Sequence, residues 1–374
     1  MILGYRYRIE PSNAQSALLS DMLADFCELY NAALEHRIRA YEKGVAIRCY
    51  EQSAALPIMR RDLPHIGRWS ATAEQQVMRK LDKTFKAFFG QVKRGDRAGF
   101  PRFKARARYH AADFRVGDGM TIRKNGRLTF VGVPSEIKVR WHRDLPSEPK
   151  SCVLSRNAGK WYIIFHVEVA PVERAGPDAV GIDLGLTNLV ALSNGETVAR
   201  PNVTKKNAHK LRRAQRALAR CERGSKVRRK RKLLVAKLQS RIANTRRDFL
   251  HKESRKIVNR FGRIALEDLN IKDLARGMLA KDVHDAAWNT FVSMIRYKAE
   301  SAGCEMTEVD PRGTSQTCPE CGAIVKKTLA ERVHRCDCGC ILDRDVAAAM
   351  VVHYRAFGFW PGTGLGSLTE QDAA

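Results

Sequence analysis

Five cysteines, Cys318, Cys321, Cys336, Cys338 and Cys340, fall within 23 residues near the end of the chain. Cys318-Pro319-Glu320-Cys321-Gly322 is a C-x-x-C-G knuckle, and a second cluster, Cys336-Asp337-Cys338-Gly339-Cys340, returns 15 residues later. Four thiolates in two such clusters match a structural zinc ribbon, in which the metal supplies the folding energy that a short insert lacks. The second half departs from the usual spacing, because no pair there has two intervening residues. Cys336 and Cys338 are the expected partners of Cys318 and Cys321, since Gly339 then follows the last ligand as Gly322 follows Cys321; Cys340 is the alternative. The remaining cysteines (Cys27, Cys49, Cys152, Cys221, Cys304) are scattered, which is not a disulfide framework, so a reducing cytoplasm is expected.

Charge narrows the partners. The 374 residues carry 67 Lys or Arg against 40 Asp or Glu, a net charge of +27, and a polyanion such as nucleic acid is the usual counterpart of that imbalance. A 44% hydrophobic content excludes wholesale disorder, and no run approaches 18 uncharged apolar residues, so no membrane partner is expected. The charged start of the chain does not read as a signal peptide. Between Lys205 and Arg247 there are 18 Lys or Arg and one acid, Glu222, with leucines interleaved at helical spacing. A solvated surface helix mixes both signs, so this reads as a basic helical pair tracking phosphates. Candidate contacts are Lys205, Lys206, Arg212, Arg213, Arg228, Arg229 and Lys230. Residues 99–108 add a basic segment with aromatics, where Arg102 and Lys104 are candidates.

The apolar periodicity divides the chain. Residues 1–10 alternate as a strand. Ser12 and Asn13 can cap a helix, and a second helix from Ser70 carries Val77, Leu81, Phe85, Phe88, Phe89 and Val92 on its apolar face. Two alternating runs joined by Asn125-Gly126 predict a hairpin, and strands at 137–141, 151–155 and 161–169 complete a small barrel or sandwich to which the first strand can add. Residues 171–177 read as a linker. From 178 onward strands and helices alternate, which indicates an α/β domain with the cysteine cluster inserted late. The tail 362–374 is expected to be disordered.

Three acidic positions stand out in this second half. Asp183 interrupts an apolar strand, Glu267 ends another, and Asp345 lies at or near the start of the helix that begins with Asp343-Arg344-Asp345-Val346. Each alone has an ordinary reading as a strand-end or capping residue; Asp343 and Asp345 would point apart on a helix, so one can cap while the other ligates. Together they are the few hard oxygen donors that magnesium takes, and two such ions can clamp a phosphodiester displacement.

Gly-Ile-Asp-Leu-Gly-Leu-Thr-Asn at 181–188, Leu-Glu-Asp-Leu-Asn at 266–270, Thr-Ser-Gln-Thr-Cys-Pro-Glu-Cys-Gly at 314–322 and Asp-Arg-Asp-Val at 343–346 occur in this order. With Gly-Phe-Pro-Arg-Phe-Lys at 99–104, this pattern resembles the transposon-encoded TnpB (OrfB) proteins, relatives of the type V CRISPR effector nucleases, over nearly the whole chain. The resemblance implies a multidomain α+β architecture. Residues 177–312 and 341–361 would form a ribonuclease-H-like (RuvC) nuclease domain around a zinc-ribbon target-binding insert at 313–340. A wedge-like β-barrel of 1–10 and 100–172 would be interrupted by a helical recognition lobe at 11–99. It places the family's catalytic and magnesium-binding carboxylates on Asp183, Glu267 and Asp345, with two Mg2+ ions and one structural Zn2+. It implies an RNA-guided endonuclease in a prokaryotic cytoplasm, nucleoid-associated when bound to DNA. A guide RNA from the transposon end would direct it to double-stranded DNA beside a short target-adjacent motif. Rival readings are a guided DNA-binding repressor without cleavage and a transposase or resolvase acting without RNA. One departure is Ala347, which stands where many members have Asn.

Overall fold

A computed structural model describes residues 1–170, 178–185, 187–269, 287–328 and 331–361. The proposed linker 171–177 and tail 362–374 lie outside the described residues. The chain divides into two compact units, Met1–Val169 and Ala170–Ala374. Among the described residues no helix is long and apolar enough to cross a membrane.

The first unit is a closed seven-stranded barrel with helices packed on it. Its strands are β1 (Ile2–Glu10), β2 (Ala111–Val116), β3 (Gly119–Ile122), β4 (Leu128–Phe130), β5 (Val133–Arg140), β6 (Ser151–Asn157) and β7 (Lys160–Glu168). They close in the order β1-β5-β4-β3-β2-β6-β7. The predicted barrel therefore forms and takes in the first strand, which pairs along its length with β7, Tyr5 opposite Phe165 and Ile9 opposite Trp161. Alternation puts Trp161, Ile163, Phe165 and Val167 inside. The Asn125-Gly126 turn is present: Gly126 takes φ +74°, which glycine adopts without a side-chain clash, and the Asn125 side chain accepts from the Arg127 amide at 3.0 Å.

The helical segment is more broken than its apolar pattern indicates. α1 (Asn13–Glu42) starts at a capping box, in which Ser12 Oγ accepts from the Gln15 amide and Gln15 Oε1 from the Ser12 amide. Three short helices follow, α2 (Cys49–Ala54), α3 (Leu56–Asp62) and α4 (Pro64–Gly67), before α5 (Ala71–Lys93), capped by Ser70. One continuous apolar core joins α1 and α5 to the barrel interior.

The second unit is built on a five-stranded sheet. β8 (Ala179–Asp183), β9 (Asn188–Leu192), β10 (Thr197–Ala199), β11 (Arg263–Glu267) and β12 (Glu305–Val309) lie in the order β10-β9-β8-β11-β12. β8, β9 and β10 are antiparallel neighbours, whereas β8, β11 and β12 run parallel. Alternate residues serve the two faces. Val180, Ile182, Ile264 and Leu266 pack with α7 (Lys226–Arg260) and α8 (Trp288–Ser301), while Ala265 packs with Val352 of α9 (Arg344–Phe357). α9 approaches β8 so closely that a Cβ on Gly181 would stand 2.1 Å from Ala349 O and 2.6 Å from His353 N. Gly181→Ala is therefore expected to cost this unit about 3 kcal/mol or more, because both obstacles are backbone; the urea midpoint of full-length protein measures it.

The basic segment forms α6 (Val203–Ala219) packed on α7. Between them they bury only Val203, Ala214, Val235 and Ile242 before Leu250, so most of their cations face solvent.

Candidate functional site

Register brings the first two acids together. Ile182 pairs with Leu266 across the parallel β8–β11 ladder, so Asp183 and Glu267 leave the same end of adjacent central strands. The third arrives from far along the chain. Asp343 Oδ1 accepts from the amides of Asp345 and Val346, capping α9, and this frees the Asp345 carboxylate, in the first turn, to face the strand ends. A Cβ on Gly185 would lie 3.2 Å from Asp345 Oδ2, so the loop after β8 also closes on this carboxylate. Trp288 Nε1 steadies that loop by donating to Gly185 O at 3.2 Å.

The three carboxylates repel one another. The Asp183 carboxyl is held well above the usual carboxylate range, first by burial and then by the charges of Glu267 and Asp345; Arg344 and the Leu184 amide oppose the shift. Glu267 is also raised by burial, against the Thr314 hydroxyl, which donates to its Oε1 at 2.6 Å, and the charge of Arg355. Arg344 Nε lies 3.4 Å from Asp345 Oδ1. This is an excess of hard, anionic oxygen that the protein's own cations offset only in part. It is the donor chemistry a divalent magnesium ion requires.

Thr314 and Arg344 were not among the site residues expected from sequence. Thr314 sits in the Thr-Ser-Gln-Thr-Cys run ahead of the knuckle, and nothing in its spacing ties it to a strand ending 47 residues earlier. If Glu267 is a magnesium ligand, Thr314→Val is expected to weaken magnesium binding about 10- to 100-fold without unfolding the protein, because it removes the hydroxyl that donates to the Glu267 carboxylate. The magnesium dependence of the melting temperature checks this.

The cysteines converge as expected. Ligand atoms of Cys318, Cys321, Cys336 and Cys338 all lie within 4.8 Å of one another, a tetrathiolate set that could hold a metal ion. The Cys321 thiol is pushed down to about 7 by the Ala323 amide and its neighbouring thiols, so it ionises readily. Cys340, the alternative, is buried behind this set with Cys318 and His334, a second group within the same distance. His334 is held neutral, lowered to about 4 by burial and the charge of Lys327. The two-stranded ribbon of β13 (Val333–Arg335) and β14 (Ile341–Asp343) leads directly into α9, so knuckle and acidic site share a framework. Ala347 packs in an apolar cluster with Cys318, Cys340 and Met350.

The candidate phosphate contacts divide. Lys205, Lys206, Arg212, Arg213, Arg229, Lys230 and Arg102 are exposed. Arg228 instead ties the α6–α7 turn, donating to Leu218 O at 3.0 Å and Cys221 O at 2.8 Å. Lys104 is half-buried with its ammonium 3.8 Å from the centre of the Tyr30 ring.

Residues 162–278 match the OrfB_IS605 family model, described as "Probable transposase", and residues 288–352 match the Cas12f1-like TNB domain. Residues 1–45 match a model described as a helix-turn-helix domain, although here they form one strand and one 30-residue helix. A Streptomyces pristinaespiralis protein named as an RNA-guided DNA endonuclease is 35% identical over 92% of this chain and 87% of its own length. The chain belongs to the TnpB family. The Escherichia coli K12 protein named RNA-guided DNA endonuclease InsQ is 27% identical over 89% of this chain and 87% of its own length. The same fold occurs in a Cas12f1–sgRNA–target DNA complex, with a TM-score of 0.59 over 91% of this chain and 83% of that one at 15% identity. The relation to type V effectors read from the sequence therefore holds.

Proposed function

We propose that this TnpB-family chain is an RNA-guided DNA endonuclease that hydrolyses double-stranded DNA beside a short target-adjacent motif. The observation that carries the reading is the convergence of Asp183, Glu267 and Asp345, from three distant segments, at a site where Asp183 is held well above the usual carboxylate range, first by burial and then by the charges of the other two. The sheet order, three antiparallel strands followed on one side by two strands parallel to β8, supports a ribonuclease-H-like nuclease domain. Asp183, Glu267 and Asp345 would hold two magnesium ions. Bound there, magnesium would neutralise the scissile phosphate and activate the attacking water, leaving a 3′-hydroxyl and a 5′-phosphate. Thr314 orients Glu267, the Asp343 cap aims Asp345, and Arg344 supplies positive charge beside the phosphate. The α6–α7 cations fit the backbone of a guide or heteroduplex, and the four thiolates of the ribbon fit structural zinc. The guide is assigned to the transposon end, with action in the cytoplasm on the nucleoid.

The test expresses the protein with its own downstream flanking DNA and purifies it with bound RNA. It is then challenged, in magnesium, with a plasmid matching that RNA beside a randomised motif. Selective linearisation is expected. Plasmid bound but uncut would favour a guided repressor, and absence of RNA of defined size would sink the guided reading.

A further inference from the structure

The apolar face of α5 outruns its partners. Its buried residues, Ala73, Glu74, Val77, Met78 and Leu81, all lie in its first half. The helical spacing continues through Phe85, Phe88, Phe89 and Val92 and predicts burial there. Phe89 and Val92 are nevertheless 55% and 51% exposed. Phe100, itself 50% exposed, folds onto the same rings, edge-on to Phe85 at 5.8 Å and to Phe88 at 5.4 Å. Phe89 stacks on Phe85 at 6.2 Å and meets Phe88 edge-on at 5.1 Å. A contiguous exposed aromatic patch marks an interaction site.

The charge around it identifies the occupant. Residues 85–108 carry eight Lys or Arg and one acid, Asp96, which pairs with Arg94 at 3.0 Å. Among the described residues no acid pairs with Lys93, Arg97 or Arg102, and all three are exposed. Protein interfaces are depleted in lysine at their centres, which disfavours a protein partner. A duplex keeps its base faces in the stack and has none to offer a phenylalanine. Unpaired bases on a phosphate backbone match both rings and cations. Phe89, Val92 and Phe100 also give a ribose 2′-hydroxyl no partner, and burying that group unpaired is costly; deoxyribose carries no such cost.

We propose that Phe88, Phe89 and Phe100 form a stacking platform for the unpaired bases of single-stranded DNA, with Lys93, Arg97 and Arg102 on its phosphates. The platform involves neither the carboxylates nor a guide, so its failure and that of the nuclease reading are separable.

Fluorescence anisotropy on the full-length chain, without added magnesium, tests it with three 15-mers: oligo-dT, an abasic deoxy strand and oligo-U. Oligo-dT is expected to bind on the order of 10-fold or more tighter than the abasic strand, whose phosphates are the same. The triple variant Phe89→Ala/Val92→Ala/Phe100→Ala is expected to remove that difference while keeping the abasic affinity. Phe89→Tyr/Phe100→Tyr is expected to retain it. Because these side chains are half-exposed, the melting temperature should barely move. Equal binding of the dT and abasic strands would overturn the proposal, as would a base preference surviving the triple variant. Tighter binding of oligo-U would overturn the assignment to DNA. Self-association that the triple variant abolishes, with oligo-dT binding unchanged, would make the patch a protein interface and overturn it also.

Discussion

Asp183→Asn is expected to lower magnesium-dependent cleavage of matched DNA by at least about 10³-fold, some 4 kcal/mol of barrier, while leaving RNA and DNA affinity within a few-fold. The substitution keeps the shape of the side chain and removes its charge. The Asp183 carboxyl is the one that the charges of both other acids raise, after burial. On the proposed reading its loss removes one of the three carboxylates that would hold magnesium. The same change is expected to stabilise the protein when no magnesium is present. The folded state holds this proton to higher pH than the unfolded state, whose value is near 3.8. Stability from that proton is present below the unfolded value and is lost as pH rises through the raised folded one. The variant should accordingly gain on wild type in melting temperature from about pH 4 toward neutral, and magnesium should close the gap by stabilising wild type alone. Glu267, raised in the same direction, contributes with the same sign. Loss of nucleic-acid binding in Asp183→Asn, or a melting gap insensitive to pH, would make Asp183 architectural.

Much of this site was legible because its parts are local. Apolar strands running into Asp183 and Glu267 carry their own signal, and the alanine run after Asp345 fixes a helix start. What spacing could not give is the division of labour between Asp343 and Asp345, which hydrogen-bond geometry decides in favour of Asp343 as the cap. Nor could it reveal Thr314, whose contact with Glu267 spans 47 residues of sequence. In the first unit the barrel followed from alternation and one Asn-Gly turn, whereas α2, α3 and α4 are too short to show periodicity. The Phe85–Val92 stripe was misleading in an instructive way. Helical spacing of apolar residues states which face they share, not whether anything within the chain covers it. Arg228 carries the converse lesson: a cation in a basic run can be consumed by the turn it stabilises.

Cys338→Ser and Cys340→Ser should separate completely in metal content, although only one residue lies between them. Cys338 belongs to the tetrathiolate set with Cys318, Cys321 and Cys336, and Cys340 belongs to the buried group with Cys318 and His334. Cys318 is common to both groups and decides nothing. If the tetrathiolate holds the zinc, the protein carries one ion per chain, Cys338→Ser loses it, and Cys340→Ser keeps it. Structural zinc contributes about 10–16 kcal/mol in isolated knuckles, more than a segment of this size can replace by burial. The ribbon in Cys338→Ser should therefore lose hydrogen-exchange protection over 333–343, a segment now held by the β13–β14 ladder. Because β14 ends at Asp343, the cap of α9, the disturbance reaches Asp345 directly, and cleavage should fall with the zinc. Cys340 is buried, so its replacement by serine costs some stability through an apolar site gaining a hydroxyl, without touching the metal. Zinc measured by elemental analysis reads the result independently of activity. Retention of zinc by Cys338→Ser together with its loss from Cys340→Ser would transfer the site to the Cys318–His334–Cys340 group.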